Sequence, residues 1–444
     1  MRGRGYAASL AQEYFVTPRT VVSWVEKARS RGILSAPPTS GAIGGHLLLS
    51  PESAHLHDAR VDAPAHGRPS PLIGGYDPTS SMRSVRRDVN RATALQIGDI
   101  MQHRPTTIRD RLGALRGLLR ISDADYNAYM RSYGELFVDS PENTRADYEA
   151  GVALRGYPQG SSNELTELYK VIHLLCTLGS VEKMYMPPQI DPAESVLQNQ
   201  ILFERIVAED LNLTPGEKVL ELGCGCGAIA EHIAELTGAD PYGVNLDSSQ
   251  IEKAWGNPNL PRANFQTGDF NKALEFDDES FDAVYAIQPM TYVSDHAFTF
   301  SEVFRILRPG GRFVINDVAA LDAYDRDDDH QRTLIQHTRE LTVFGGFWYY
   351  KYWEDAYRDT GFELLSSVGR PAVELIKKEV ALFDRYEAVF KFLARLHLIP
   401  GKTNALMGRM NTNSHSYIRA EQEELLTLNW HCVGQKPSSA TVMP

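Results

Sequence analysis

The residues best suited to chemistry in this chain lie in one stretch, Val219-Leu-Glu-Leu-Gly-Cys-Gly-Cys-Gly-Ala228. Gly223, Gly225 and Gly227 alternate through a turn where side chains would keep a ligand away from the backbone. They also supply the φ angles that a tight strand-to-helix connection demands. A helix beginning near Ala228 would add unpaired N–H groups and partial positive charge at its start. That combination can hold a ligand bearing a ribose and a carboxylate. A Gly-x-Gly-x-Gly turn alone equally fits a ligand-free connection or a nicotinamide cofactor, so its setting has to discriminate.

Further polar groups fall where strands should end. Tyr242-Gly-Val-Asn-Leu-Asp247 reads as a strand whose Asn245 and Asp247 can reach ribose hydroxyls. Gly268-Asp-Phe270 places an acceptor, Asp269, and an aromatic ring, Phe270, for an adenine. Phe281-Asp-Ala-Val-Tyr-Ala-Ile287 is a further strand, followed by Gln288 and Thr291-Tyr292. Glu302 to Ile315 reads as a helix, a Pro309-Gly-Gly311 stop and a strand ending in Asn316-Asp317. Alternating strands and helices build a parallel sheet whose carboxyl edge carries the ligand crevice.

With these fittings in register over about residues 200–320, the chain resembles the class I S-adenosylmethionine-dependent methyltransferases. The resemblance implies a Rossmann-like α/β fold with a seven-stranded, mostly parallel sheet and S-adenosyl-L-methionine as cofactor. It assigns cofactor contacts to Glu221, Gly223, Gly225, Gly227, Asn245, Asp247, Gln250, Asp269, Phe270 and Gln288, and implies no metal. Within the class the chain is most similar to sterol 24-C-methyltransferases, over about residues 165–437. The likeness rests on Gly243-Val-Asn-Leu-Asp-Ser-Ser-Gln-Ile251, Asp282 to Ile287, Asp322 to Asp325, Gly361-Phe-Glu363 and Leu398-Ile-Pro-Gly401.

The departures from that pattern border the acceptor. Leu174 to Gly179 stands near where the family has an aromatic-rich segment, and Gln288 replaces a glutamate. Thr291-Tyr292 replaces a Cys-His pair and Asn316-Asp317 a Tyr-Glu pair. The resemblance thus implies methyl transfer to a sterol or another lipid-like small molecule. A polar, phenolic, quinone-like or amine acceptor is the alternative, and a DNA-binding regulator that senses the cofactor is a third reading. Methylating an alkene leaves a carbocation and requires a base to remove a proton. Asp317 is the first candidate for that base and Tyr292 the second; the amide of Gln288 cannot ionise.

At 444 residues the chain can hold two or three domains, and 43% hydrophobic and 23% charged residues describe a globular protein. No apolar run reaches the roughly eighteen residues of a membrane span, and the basic start is not followed by an apolar signal core. Two of the four cysteines, Cys224 and Cys226, are one residue apart, which suits neither a disulfide nor a C-x-x-C metal site. A reducing, cytoplasmic location is expected. The net charge of −12 is uneven: residues 1–35 carry six Lys/Arg against two Glu, or +4. The acidic remainder is unsuited to nucleic acid and fits a small-molecule or lipid-like substrate.

The elements around the site divide the chain into five parts. Residues 1–35 contain Ala11 to Trp24, which resembles a bacterial helix-turn-helix but has Phe15 at the usual turn glycine, so DNA binding is not expected. Residues 36–80, rich in Pro, Gly, Ser and His, read as a flexible linker in which His55 and His57 carry no assigned role. Residues 81–164 form a helical extension, with Leu112, Leu115, Leu118 and Leu119 expected on one buried face. Residues 165–320 are the cofactor-binding core; Asp191 to Arg205 reads as a helix leading into its first strand, and the segment preceding that strand offers Tyr185 and Gln200 as lid contacts. Residues 321–444 form a substrate-binding region. Its aromatic run, Phe344, Phe347, Trp348, Tyr349, Tyr350, Tyr352 and Trp353, is expected to line an apolar pocket, touch a membrane surface peripherally, or pack into the core.

Overall fold

Val219, Leu220 and Leu222 form the middle of a sheet because a short apolar run, closed by glycines, can be covered on both faces. In the computed structural model the strands of this sheet are β1 (Lys218–Leu222), β2 (Asp240–Asn245), β3 (Phe265–Thr267), β4 (Phe281–Ile287), β5 (Leu307–Ala320), β6 (Glu363–Gly369) and β7 (Leu426–Gln435). They lie side by side as β3-β2-β1-β4-β5-β7-β6. β1 to β5 are mutually parallel, and β7 runs antiparallel to both β5 and β6. The seven-stranded, mostly parallel Rossmann-like α/β sheet expected from the sequence is therefore present. The structure describes residues 108–138, 140–158, 171–172, 174, 183–395 and 400–438, all within a unit that begins at Pro69. The helix-turn-helix-like segment 1–35 and the linker 36–80, with His55 and His57, lie outside the described residues.

Side chains alternate across the pleat to build two cores. Leu220, Leu222, Val284, Ala286, Phe313 and Ile315 face one side and pack with Phe300, Val303, Trp353 and Tyr357 from helices α7 (His296–Ile306) and α9 (Tyr350–Thr360). Val219, Ala283, Tyr285, Val314 and Val433 face the other and meet Phe203, Val207 and Ile233 of α4 (Val196–Leu211) and α5 (Ala228–Thr237). Among the described residues no helix is long and apolar enough to cross a membrane.

Packing decides three expectations. The helix α1 (Ile108–Leu119) buries Ala114 and Leu118, continued by Ile121, at i, i+4 and i+7; Leu112 is 48% exposed. Leu115 and Leu119, on an adjacent stripe, are half-buried, so the buried face is centred on Ala114 and Leu118 and leaves Leu112 outside it. The helix expected from Asp191 starts only at Val196, because Ser195 caps it by accepting the N–H of Gln198. The aromatic run is core, neither a membrane-facing surface nor an open pocket wall. Phe347-Trp348 pairs in parallel with Glu142-Asn143, and Tyr349 bridges to Ala320 at the end of β5. Phe344, Phe347, Trp348, Tyr349, Tyr352 and Trp353 are buried as a result, Trp348 completely.

The Trp348 ring meets His296 edge-on at a centroid distance of 4.4 Å and Trp353 at 5.4 Å, and its indole N–H donates to Arg155 O at 2.8 Å. Trp348→Ala is accordingly expected to cost about 3–5 kcal/mol of stability by opening a cavity. Denaturant unfolding followed by circular dichroism checks this. A variant as stable as the parent would return the run to a pocket wall or a membrane-touching surface.

Candidate functional site

The strand order reverses at β1, so the crevice lies outside the carboxyl ends of β1, β2 and β4, and five loops converge there. The first is the glycine turn. Gly223, Gly225 and Gly227 have φ of +72°, +54° and +81°, a region glycine enters without strain. The N–H groups of Gly223 and Cys224 both donate to Val244 O, at 2.8 and 3.1 Å, which pins the turn against β2. Their roles differ by what a side chain would meet. A Cβ on Gly223 would fall 2.6 Å from Pro289 Cβ, and one on Gly227 2.5 Å from Leu260 Cδ1. On Gly225 it would meet only Gln250 Oε1, at 3.4 Å.

The second loop closes on the first through Asn245. Its Oδ1 accepts the Gly225 N–H at 3.3 Å while its Nδ2 donates to Gln250 Oε1 at 3.1 Å and to Asp247 O at 3.3 Å. Asp247 caps helix α6 (Ser248–Trp255), accepting from Ser249 N at 2.8 Å. Asp269 and Phe270 follow β3 as expected, both half-buried. Asp269 Oδ1 accepts from Asn271 N at 3.0 Å, and a largely exposed Lys272 lies 3.5 Å from its other oxygen, a surface pair worth little. Hydrogen bonds thus join Gly225, Asn245, Asp247 and Gln250, and Asp269 and Phe270 follow the neighbouring strand β3.

Glu221 and Gln288 have their side chains engaged elsewhere. Glu221, 2% exposed, lies beneath the turn and accepts from Tyr285 OH at 3.1 Å. Burial pushes its carboxyl up to about 8, opposed by the Tyr285 hydroxyl and reinforced by the like charge of Glu204. Gln288 holds a positive φ of 62° and clamps three backbone groups. Its Oε1 accepts from Met186 N at 3.2 Å, and its Nε2 donates to Met186 O and Leu428 O, both at 3.0 Å. Gln288 therefore ties the segment before α4 to β7, a tether that nothing in its sequence setting announces.

Tyr185 and Gln200, expected as lid contacts, belong to a buried polar cluster behind the sheet. Glu204 Oε2 lies 2.5 Å from both Lys183 Nζ and His232 Nδ1, and Glu204 Oε1 accepts from Tyr185 OH at 2.7 Å. Gln200 Nε2 donates to the carbonyls of Lys183 and Tyr185. Burial alone would raise the Glu204 carboxyl, but Lys183 and His232 hold it at about 2. Lys183, Glu204 and His232 were not singled out from sequence: they come from three distant segments, and no spacing joins them.

The two residues expected to act as bases stand after β4 (Tyr292) and within β5 (Asp317), which runs on to Ala320 past the strand end expected at Asn316-Asp317. Asp317, 1% exposed, accepts from Met290 N at 2.7 Å through Oδ2 and from Val318 N at 2.8 Å through Oδ1. Burial pushes its carboxyl up to about 7, against the Val318, Met290 and Thr291 N–H groups that favour the charged form. Tyr292 donates its hydroxyl to Val343 O and meets the Tyr157 ring edge-on at 5.4 Å. Tyr292 and Val343 also pack with Leu118, Tyr129 and Leu406, so the helical extension and the C-terminal helices close over this loop.

The crevice fits S-adenosylmethionine on two observations. The space above Gly225 is bounded by a side-chain amide alone, and the strand ends around it offer the carboxylates Asp247 and Asp269. Comparison with known proteins agrees. Residues 220–315 match the family described as a methyltransferase domain. Methyltransferase phqN of Penicillium fellutanum is 34% identical over 148 residues, covering 32% of this chain and 45% of that protein. Sterol 24-C-methyltransferase erg6 of Aspergillus fumigatus is 36% identical over 135 residues, or 30% of this chain and 36% of that one. Botryococcene C-methyltransferase of Botryococcus braunii is 26% identical over 265 residues, or 55% and 68%. The chain spans less than half the length of the first two relatives. By strand order and glycine turn this chain has a Rossmann-like α/β fold, and over residues 220–315 it matches the methyltransferase domain family.

Proposed function

We propose that the protein transfers a methyl group from S-adenosylmethionine to a carbon of a lipid-sized acceptor, in the manner its sterol and botryococcene relatives' names describe. The observation that carries the reading is the Gly225 cradle, open to a ligand and held by Asn245, beside a loop at 288–292 walled by aromatic and aliphatic side chains. The bound cofactor supplies a sulfonium methyl group as electrophile. The protein's part is to align the acceptor with it and exclude water, an effect worth roughly 7–11 kcal/mol in favourable cases. Tyr157 and Tyr292, packed edge to face, would offer ring faces to a developing cation, each worth about 0.5–2 kcal/mol.

Asp317 is better read as a positioning residue than as the base. Its oxygens hold the backbone of the 288–292 loop, and Asp317→Asn would set an amide N–H against one of those N–H donors. Turnover should fall about tenfold with the shape of the pH–rate profile kept, whereas loss of a general base would cost about 100-fold or more and remove its limb. Steady-state rates between pH 6 and 9 discriminate the two.

A second reading follows from the same observation. With Asp317 and the Tyr292 hydroxyl both engaged, a phenol or amine acceptor, which leaves no carbocation, would need less of the site. Incubating the full chain with trideuteromethyl-labelled cofactor and separate pools of sterols, prenyl alkenes, phenols and amines tests both. Label in a sterol or alkene product supports the lipid reading; label confined to phenols or amines replaces it with the second.

A further inference from the structure

Arg339, near the end of helix α8 (Asp329–Thr342), is a buried side chain to which the site gives no partner. It is 4% exposed, yet its Nε and Nη2 hydrogen-bond to none of the described residues. A buried guanidinium is costly unless its donors and charge are met, and such exceptions call for a missing partner. Arginine remains charged under burial, although burial lowers its pKa. Its Cζ lies over the Phe344 ring, 5.2 Å from the ring centroid. The charged or ionisable groups its charge feels are Glu142, Tyr324 and Tyr157. Glu142 makes no ion pair with it and instead accepts from Tyr324 OH at 2.5 Å.

Arg339 stands beside the loop already assigned to the acceptor. Val343 N donates to Arg339 O at 2.7 Å, and Val343 O receives the Tyr292 hydroxyl. Tyr157, which faces Tyr292, is fixed by its N–H to Val293 O at 2.8 Å. Gly345 lets these pieces close together: a Cβ there would fall 2.8 Å from the Tyr157 ring and 2.9 Å from Thr291 O. Thr291 Oγ1 is likewise buried and meets no hydrogen-bond partner among the described residues. Two unmatched polar groups, a guanidinium edge and a hydroxyl, therefore flank the aromatic wall at Tyr157. Nε and Nη2 are the two donors on one side of a guanidinium, the edge that takes a carboxylate or phosphate through two parallel hydrogen bonds.

We propose that Arg339 binds an oxyanion carried by the acceptor, so that the molecule methylated is an anionic amphiphile, its apolar body along Tyr157 and Tyr292 and its carboxylate or phosphate on Arg339. The inference rests on the methyltransferase reading, because it takes the 288–292 loop as the acceptor's border. It is tested by equilibrium binding to the full chain saturated with adenosylhomocysteine, using farnesoic acid, farnesyl phosphate and farnesol as probes. At least one anion should bind about tenfold or more tightly than farnesol, and the tighter of the two identifies the headgroup. In Arg339→Gln that preference should vanish, with farnesol and adenosylhomocysteine affinities within about threefold of the parent.

Equal binding of all three probes to the parent overturns the proposal, as does their common failure while adenosylhomocysteine still binds. An equal loss for acid, phosphate and alcohol in Arg339→Gln also overturns it, since a mere counter-charge to Glu142 would act that way. Should Arg339→Gln not fold, Arg339→Lys keeps the charge and loses the two-donor edge. Anion affinity must then fall while farnesol affinity holds. Absence of adenosylhomocysteine binding would instead strike the methyltransferase reading itself.

Discussion

Gly225→Val is expected to lose adenosylhomocysteine affinity by about 100-fold or more, equivalent to about 2.7 kcal/mol, while the protein still folds. A branched residue at φ +54° is strained by about 1–3 kcal/mol. Its Cβ, however, meets only the end of a flexible side chain, Gln250 Oε1, so the valine would fill ligand space and leave the protein's own atoms in place. Gly223→Val and Gly227→Val should behave differently. Their side chains would run into Pro289 and Leu260 at 2.6 and 2.5 Å, and thermal stability should fall together with binding. Titration calorimetry beside a thermal melt on the three variants separates the ligand cradle from its scaffold. Unchanged affinity in Gly225→Val would remove the cofactor site from this turn.

Glu204→Gln should cost about 3–5 kcal/mol of stability, because it removes the buried carboxylate on which both Lys183 and His232 converge. The sign of its pH dependence follows from the carboxyl's folded value of about 2, below its ordinary 4.5. A depressed value contributes stability above about pH 4.5 that is lost as pH falls towards 2. Parent and variant should thus differ most near neutral pH and converge in acid. Urea unfolding at pH 7 and pH 3 measures both, and a constant difference between the two would show that Glu204 is not held as a carboxylate.

What was legible in the chain was whatever short-range pattern fixes. The glycine turn, the strand end at Asn245 and the alternation of strands and helices follow from apolar runs, punctuation and spacing, and the seven-stranded sheet followed from the family resemblance; the strand expected to stop at Asn316-Asp317 instead runs on to Ala320. The aromatic run at 344–353 was visible, but its fate was not: a two-residue strand pairing with Glu142-Asn143, some two hundred residues away, decides that it is core. Gln288 illustrates the same gap, since its position after β4 marks a ligand edge while its positive φ turns the amide onto Met186 and Leu428. The Lys183–Glu204–His232 cluster and the buried edge of Arg339 had no sequence signal, because a lysine or arginine in a helical pattern reads as a solvated charge until the fold closes over it.

Methyl transfer to a lipid acceptor is tested by following label from the methyl group of S-adenosylmethionine. The full chain and Gly225→Val are each incubated with labelled cofactor and an acceptor mixture that includes neutral lipids, acidic prenyl lipids and phosphorylated prenyl lipids. The predicted result is label in a lipid-soluble product, with an equal amount of adenosylhomocysteine, formed by the parent and absent with Gly225→Val. Equal label transfer by both proteins, or parent protein that binds the cofactor and methylates none of these lipids, would contradict it.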